Sequence, residues 1–213
     1  MATTFPHNAR QLERRDLTRL VRTRHPGVEV VDFEILESKT FAAETNEVST
    51  AGRICVDVVL AGEGSESIDR RWMIKVCRPD LGDIPLYRNE VAFYTKLRPE
   101  VDVEAPRCFG GLYVRGGEGF AIALEDLRLR KAIFPNVKTS VSIAQIESLL
   151  RTLAKLHAHY WQSPRFESDL AWVEPHTSGA IYTMFNHPNM IPAMIAREIE
   201  ENQFKKELVE AAG

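Results

Sequence analysis

Apolar residues recur along the chain at two periods, three to four residues in some stretches and two in others. Over 9–23, Leu12, Leu17, Leu20 and Val21 fall at roughly helical spacing, which predicts a short amphipathic helix. His25-Pro26-Gly27 ends it, because proline and glycine both oppose helix continuation. The stretch 28–37 is partly alternating and rich in β-branched residues, and predicts a strand. Residues 53–60 and 71–77 predict two further strands, an antiparallel hairpin joined by a loop holding Gly62, Gly64 and Ser65.

The pattern then changes period three times. Pro79 to Pro85 is a connection, and 86–97 predicts a helix in which Val91, Tyr94 and Leu97 recur on one face, with Leu86 and Phe93 close to it. Residues 107–114 and 119–125 predict a second hairpin across Arg115 to Glu118, and 128–140 reads as irregular. From Ser142 onward only helical spacing remains. Ile146, Leu149, Leu150, Leu153 and Leu156 share a stripe, Ser142 and Gln145 have the spacing of a capping box, and Pro164 stops the helix. One more helix is predicted within 189–210, with Pro192 near its start. Strands with one helix, followed by helices alone, predict an α+β lobe over 1–125, a linker over 126–140 and the beginning of a helical lobe over 141–213.

Composition narrows the function classes. An apolar fraction of 44% and a charged fraction of 27% suit a soluble globular protein with a real core. A net charge of −3 argues against a dedicated nucleic-acid binder. The N-terminal arginines (10, 14, 15, 19, 22 and 24) read as the polar face of the first helix. Cys55, Cys77 and Cys108 are odd in number, widely spaced and set in apolar stretches, so they are expected as reduced, buried residues of a cytoplasmic protein. No run has signal-peptide length or approaches the ~18 apolar residues of a membrane span.

Four places could carry chemistry. Lys75, between Ile74 and Val76, points away from its apolar neighbours because strand side chains alternate. It is either a lysine on the exposed face of an edge strand or one that needs an anionic partner, since a buried unpaired ammonium is costly. Glu90 falls among the core-facing residues of the next helix, about fifteen residues on. A strand lysine held by a helical glutamate is how kinases grip the phosphates of ATP. Glu125, Asp126 and Leu127 end the last strand at the lobe boundary, where they are either acidic cap residues or a backbone edge for a base. His157 and His159, two apart on a helix, do not face each other, so a metal site is not expected and His157 is expected to pack.

At these residues the chain resembles the aminoglycoside phosphotransferase/choline kinase superfamily, closest to its ecdysteroid-kinase-like (CHK kinase-like) branch. The stretches that carry the resemblance are Glu47 to Arg53, Ile74-Lys75-Val76, Tyr87 to Tyr94, Leu124 to Leu127 and Leu153 to Trp161, in that order and spacing over roughly residues 28–175. The resemblance implies a protein-kinase-like fold, with ATP and Mg as cofactors and a small-molecule hydroxyl as the phosphoryl acceptor. It implies that Lys75 grips phosphates, that Glu90 holds Lys75, and that Glu125, Asp126 and Leu127 meet the adenine. Ser49 and Thr50 would lie by the loop over the phosphates, although Phe41 to Thr50 contains no glycine.

The chain departs from the family in one large respect. The family's catalytic loop begins His-Gly-Asp, and no His-x-Asp occurs in these 213 residues; after Asp126 the one aspartate is Asp169. The expectation is therefore a front half of such an enzyme, with no catalytic or metal-binding residue of its own and inactive alone. The alternatives are a pseudokinase-like module that binds nucleotide or a partner, and an unrelated α+β domain. A helical stripe left uncovered is expected to promote association.

Overall fold

A computed structural model describes residues 4–39, 49–81, 83–115, 119–134, 139–186 and 196. It is an α+β structure whose described strands form one antiparallel sheet of five, in the order β1-β2-β3-β5-β4. The strands are β1 (Val28–Lys39), β2 (Ala51–Gly62), β3 (Arg71–Cys77), β4 (Cys108–Leu112) and β5 (Ala121–Glu125). The described helices are α1 (Arg14–Arg22), α2 (Pro85–Ala92), α3 (Ile143–Tyr160) and α4 (Ala180–Phe185). The chain forms two compact units, Met1–Gln162 and Ser163–Gly213.

One face of the sheet buries the larger core. Ile54, Val56 and Val58 of β2 alternate inward with Trp72, Ile74 and Val76 of β3, and Leu17, Leu20 and Val21 of α1 join the same cluster. Strict alternation places every second side chain on this face. Trp72 is fully buried, stacks on Phe109 at 5.9 Å between centroids, and donates its indole N–H to Asp69 O at 2.6 Å. The N-terminal arginines bond backbone: Arg14 donates to Val31 O at 2.9 Å, Arg22 to Val28 O at 3.0 Å and Arg19 to Thr4 O at 2.6 Å. Arg14 and Arg22 thus tie α1 to β1, and Arg19 ties it to the N-terminal segment.

Strand β1 explains its own imperfect alternation. It carries two bulges against β2, between Val30 and Asp32 and between Ile35 and Glu37. Each bulge adds one residue and reverses which side faces the core. Phe33, opposite Val58, packs on the core, whereas Glu37 and Lys39, opposite Cys55 and Arg53, fall on the other face.

Helix α2 begins on Pro85 at its first turn, where a missing N–H costs nothing. It continues as a π-helical turn over Phe93–Leu97, closed by Arg98 N–H to Phe93 O at 2.8 Å. Helix α3 starts on the capping box expected from its sequence, Ser142 Oγ accepting from Gln145 N–H while Gln145 Oε1 accepts from Ser142 N–H. Its apolar stripe is largely exposed: Ile146, Leu149, Leu150 and Leu153 all remain open, and Tyr160 is the residue of α3 that is buried. His157, expected to pack, is exposed as well, because nearly the whole of α3 lies open. The expected helix within 189–210 lies, apart from residue 196, outside the described residues, and α4 was not anticipated. Among the described residues no helix is long and apolar enough to cross a membrane.

Candidate functional site

The face of the sheet opposite the larger core carries the site. On β3, Trp72, Ile74 and Val76 turn into the core, which leaves Met73 and Lys75 on the other side. Lys75 Nζ lies 2.6 Å from Glu90 Oε1 and 2.7 Å from Oε2, with both side chains about a quarter exposed, at 26%. Glu90 is the sixth residue of α2, and the helix is fixed one turn earlier by Tyr87. That ring is buried, stacks on Phe120 at 4.4 Å, donates its hydroxyl to Thr50 O at 2.6 Å, and accepts Arg78 N–H at 2.9 Å. Residues three apart lie on the same helix face, so anchoring Tyr87 aims Glu90 at the sheet. The Glu90 charge is felt one turn on: burial first, then Glu90, push the Tyr94 phenol up to about 12.

Beside this pair is a cavity of about 330 Å³. Four strands pave it in two rows of three residues set by their register. Lys39 is opposite Arg53 and Arg53 opposite Lys75, which gives a row of three cations. Two residues along, Cys55 is opposite Met73 and Met73 opposite Leu124, which gives a row without charge. Directly paired residues of antiparallel strands project from the same face, and all six side chains line the cavity.

Glu125, Asp126 and Leu127 close the far side of the cavity. Both carboxylates are buried and matched by arginines. Glu125 meets Arg130 Nε at 2.9 Å and accepts Arg107 backbone N–H at 3.2 Å. Asp126 takes Arg128 Nε at 2.8 Å and NH2 at 2.9 Å, and caps the following turn by accepting Arg128 N–H at 3.1 Å. Those Arg128 hydrogen bonds hold the Asp126 carboxyl below its ordinary value, against burial. The same guanidinium reaches Glu37 at 2.6 Å and Cys55 Sγ at 3.1 Å. Burial, then the Asp126 charge, push the Cys55 thiol up, so it packs as a small apolar residue rather than as a nucleophile. Leu127 N–H opens a 3₁₀ turn and has no intrachain acceptor among the described residues.

The residues expected from sequence divide accordingly. Lys75, Glu125, Asp126 and Leu127 line one cavity, and Glu90 reaches it through Lys75. Ser49 and Thr50 do not line it: Ser49 O accepts Arg78 NH1 at 2.6 Å, just after β3, and Thr50 O accepts the Tyr87 hydroxyl of α2. Residues 41–48 of the expected phosphate loop lie outside the described residues. Sequence reasoning missed Lys39, Arg53, Arg128 and the uncharged row. Arg53 and Cys55 were reachable by alternation from Ile54, but Lys39 was hidden by the second bulge of β1.

Among the described residues no three His, Cys, Asp or Glu side chains converge as metal ligands. Asp169, in the second unit, is held by Arg165 at 2.6 Å. Comparison with protein-family models, curated proteins and solved structures found no match to the chain.

Proposed function

We propose that the first unit contains the nucleotide-binding lobe, residues 1–125, of a kinase-like small-molecule phosphotransferase, with ATP as the nucleotide. The observation that carries this reading is the two-oxygen clasp of Glu90 on Lys75 at the edge of the cavity. A lysine on the third strand, gripped by a glutamate from the helix packed behind it, is the device kinases use to orient the α- and β-phosphates. The strand order β1-β2-β3-β5-β4 suits the same architecture. In this reading the adenine lies over Cys55, Met73 and Leu124, and Leu127 N–H donates to its edge. The carboxylates of Glu125 and Asp126, committed to arginines, shape the wall and do not meet the base.

These residues support binding and assign no transfer step. No His-x-Asp occurs in the sequence, and no described carboxylate cluster fits Mg. Phosphoryl transfer rests on metal and electrostatic positioning. The reading therefore expects weak ATP binding by the chain, no phosphate transferred, and an acceptor hydroxyl recognised by other residues. Titration calorimetry of the chain and of Lys75→Ala with ATP tests it. Binding that the substitution reduces about tenfold or more, by removing a charge-assisted contact, is the expected result. Equal binding by both, or ATP turnover that Lys75→Ala abolishes, would overturn the assignment as written.

A further inference from the structure

We propose that a second cleft, of about 270 Å³ between the end of α1 and the start of β4, binds the phosphate group of a small-molecule phosphate monoester. The inference stands apart from the nucleotide reading, because Lys75 and its neighbours do not line this cleft; Pro106 is the one residue common to it and to the cavity beside the Lys75–Glu90 pair. Four basic side chains converge there from three segments. Arg24 and His25 follow α1, Arg98 follows the π-helical turn, and Arg107 precedes β4. Among the described residues no Asp or Glu lines the cleft. The chain carries a net charge of −3, so this grouping is a local exception and not a reflection of composition.

The arginines are not equally engaged. Arg107 is met by Asp69 and, at 3.7 Å, by Glu125. Arg24 donates to Tyr94 O at 3.0 Å and reaches the Cys108 thiol, and Arg98 donates to Val101 O at 3.1 Å. These acceptors carry no charge, so two guanidinium charges on the cleft are bonded without being neutralised. Arg98 Nε is moreover buried with no hydrogen-bond partner, and a buried donor left unmatched is costly. An arginine that merely faces the carbonyls of a helix end accounts for the bond from Arg24 to Tyr94 O, but not for the unmatched nitrogen of Arg98 or for further basic groups on the same cleft. Burial, then the Arg24 charge, hold the His25 imidazole below its ordinary value, as positive charge left without an acid beside it does. The walls supply the class of ligand. Ile68 and Phe109 are buried apolar residues, and Pro99 and Pro106 complete the lining. Guanidinium forks match phosphate oxygens, and ligand pockets usually start at about 300 Å³, so the cleft suits a phosphate carrying a body about the size of one ring.

The test is titration calorimetry of the full chain with phenyl phosphate, inorganic phosphate, phenol and a phosphotyrosine tripeptide at fixed ionic strength. It is repeated on Arg24→Gln, Arg98→Gln, Lys75→Ala and, as a charge-matched control, Arg151→Gln, whose exposed side chain lies on α3 and does not line the cleft. The expected result is saturable binding of phenyl phosphate, weaker binding of inorganic phosphate and none of phenol. Each of the two cleft variants should lose about tenfold in affinity for phenyl phosphate, while Lys75→Ala and Arg151→Gln bind it as the parent does. Arg24 is exposed at the end of α1, so its substitution carries the test should Arg98→Gln fail to fold.

Phenyl phosphate binding that is lost in Lys75→Ala but kept in both cleft variants would overturn the cleft and leave the nucleotide reading intact. Binding through Arg24 and Arg98 by a chain that does not bind ATP would support the cleft and remove the nucleotide. A tripeptide bound more tightly than phenyl phosphate would overturn the small-molecule source. Binding unchanged in every variant, or no saturable binding of phenyl phosphate, would overturn the proposal outright.

Discussion

Asp126 shows what one carboxylate can do when the charge around it is settled locally. Its folded-state titration lies below the ordinary 3.8 because Arg128 bonds its ionised form three ways. A carboxyl depressed in the folded state adds stability above its unfolded value, and that contribution is lost as pH falls through the folded one. The thermal midpoint should therefore drop steeply below about pH 4. In Asp126→Asn that acid-side drop should shrink, while stability at neutral pH falls by about 1–3 kcal/mol through the lost charge-assisted bonds. Midpoints measured across pH 2–7 for both proteins would check this, and identical profiles would contradict it. At this scale the sequence showed Lys75 and Glu90, because an apolar strand and an amphipathic helix each mark the odd charged residue on them. It did not show that Glu125 and Asp126 belong to Arg107, Arg128 and Arg130, since ion pairs across a turn or between strands leave no periodic trace.

Among the elements, the strands of the sheet's centre were legible and β1 was not fully so. β3 runs over the residues its alternation marked, 71–77. β1 looked only partly alternating because its two bulges reverse the inward side twice within twelve residues, a feature set by pairing with β2 rather than by local sequence. That is why Lys39 could not be assigned to the cavity face in advance. Strand β4 and helix α1 meet more closely than any side chain allows. A Cβ on Gly110 would sit 2.1 Å from Leu20 O and 2.7 Å from Leu20 C, both backbone atoms that cannot rotate aside. Gly110→Ala must therefore push α1 off the sheet, at a cost of about 1–3 kcal/mol typical of overpacking, or more. Urea denaturation should show a lower midpoint with the slope unchanged. An unaltered midpoint would mean that the helix and strand part without loss.

Across the described residues, α3 carries a continuous stripe of exposed apolar side chains. Ile143, Ile146, Leu149, Leu150 and Leu153 are all open, and large apolar patches promote association. Sedimentation velocity should show mass rising with protein concentration, and Leu149→Glu with Leu150→Glu should return the chain toward monomer. A monodisperse monomer at high concentration would count against that role for the stripe. The helix itself was plain from its spacing and capping box, but spacing gives only the side that wants covering, never its cover.

Trp72 lends the molecule an optical consequence. Its indole is sealed within the sheet's core, whereas Trp161 stands 74% exposed just past the end of α3. The native emission spectrum should contain a blue component that iodide cannot reach and a red one that it extinguishes. Loss of the shielded light reports the opening of the sheet, whereas the more accessible light is shared by Trp161 and the half-buried Trp172.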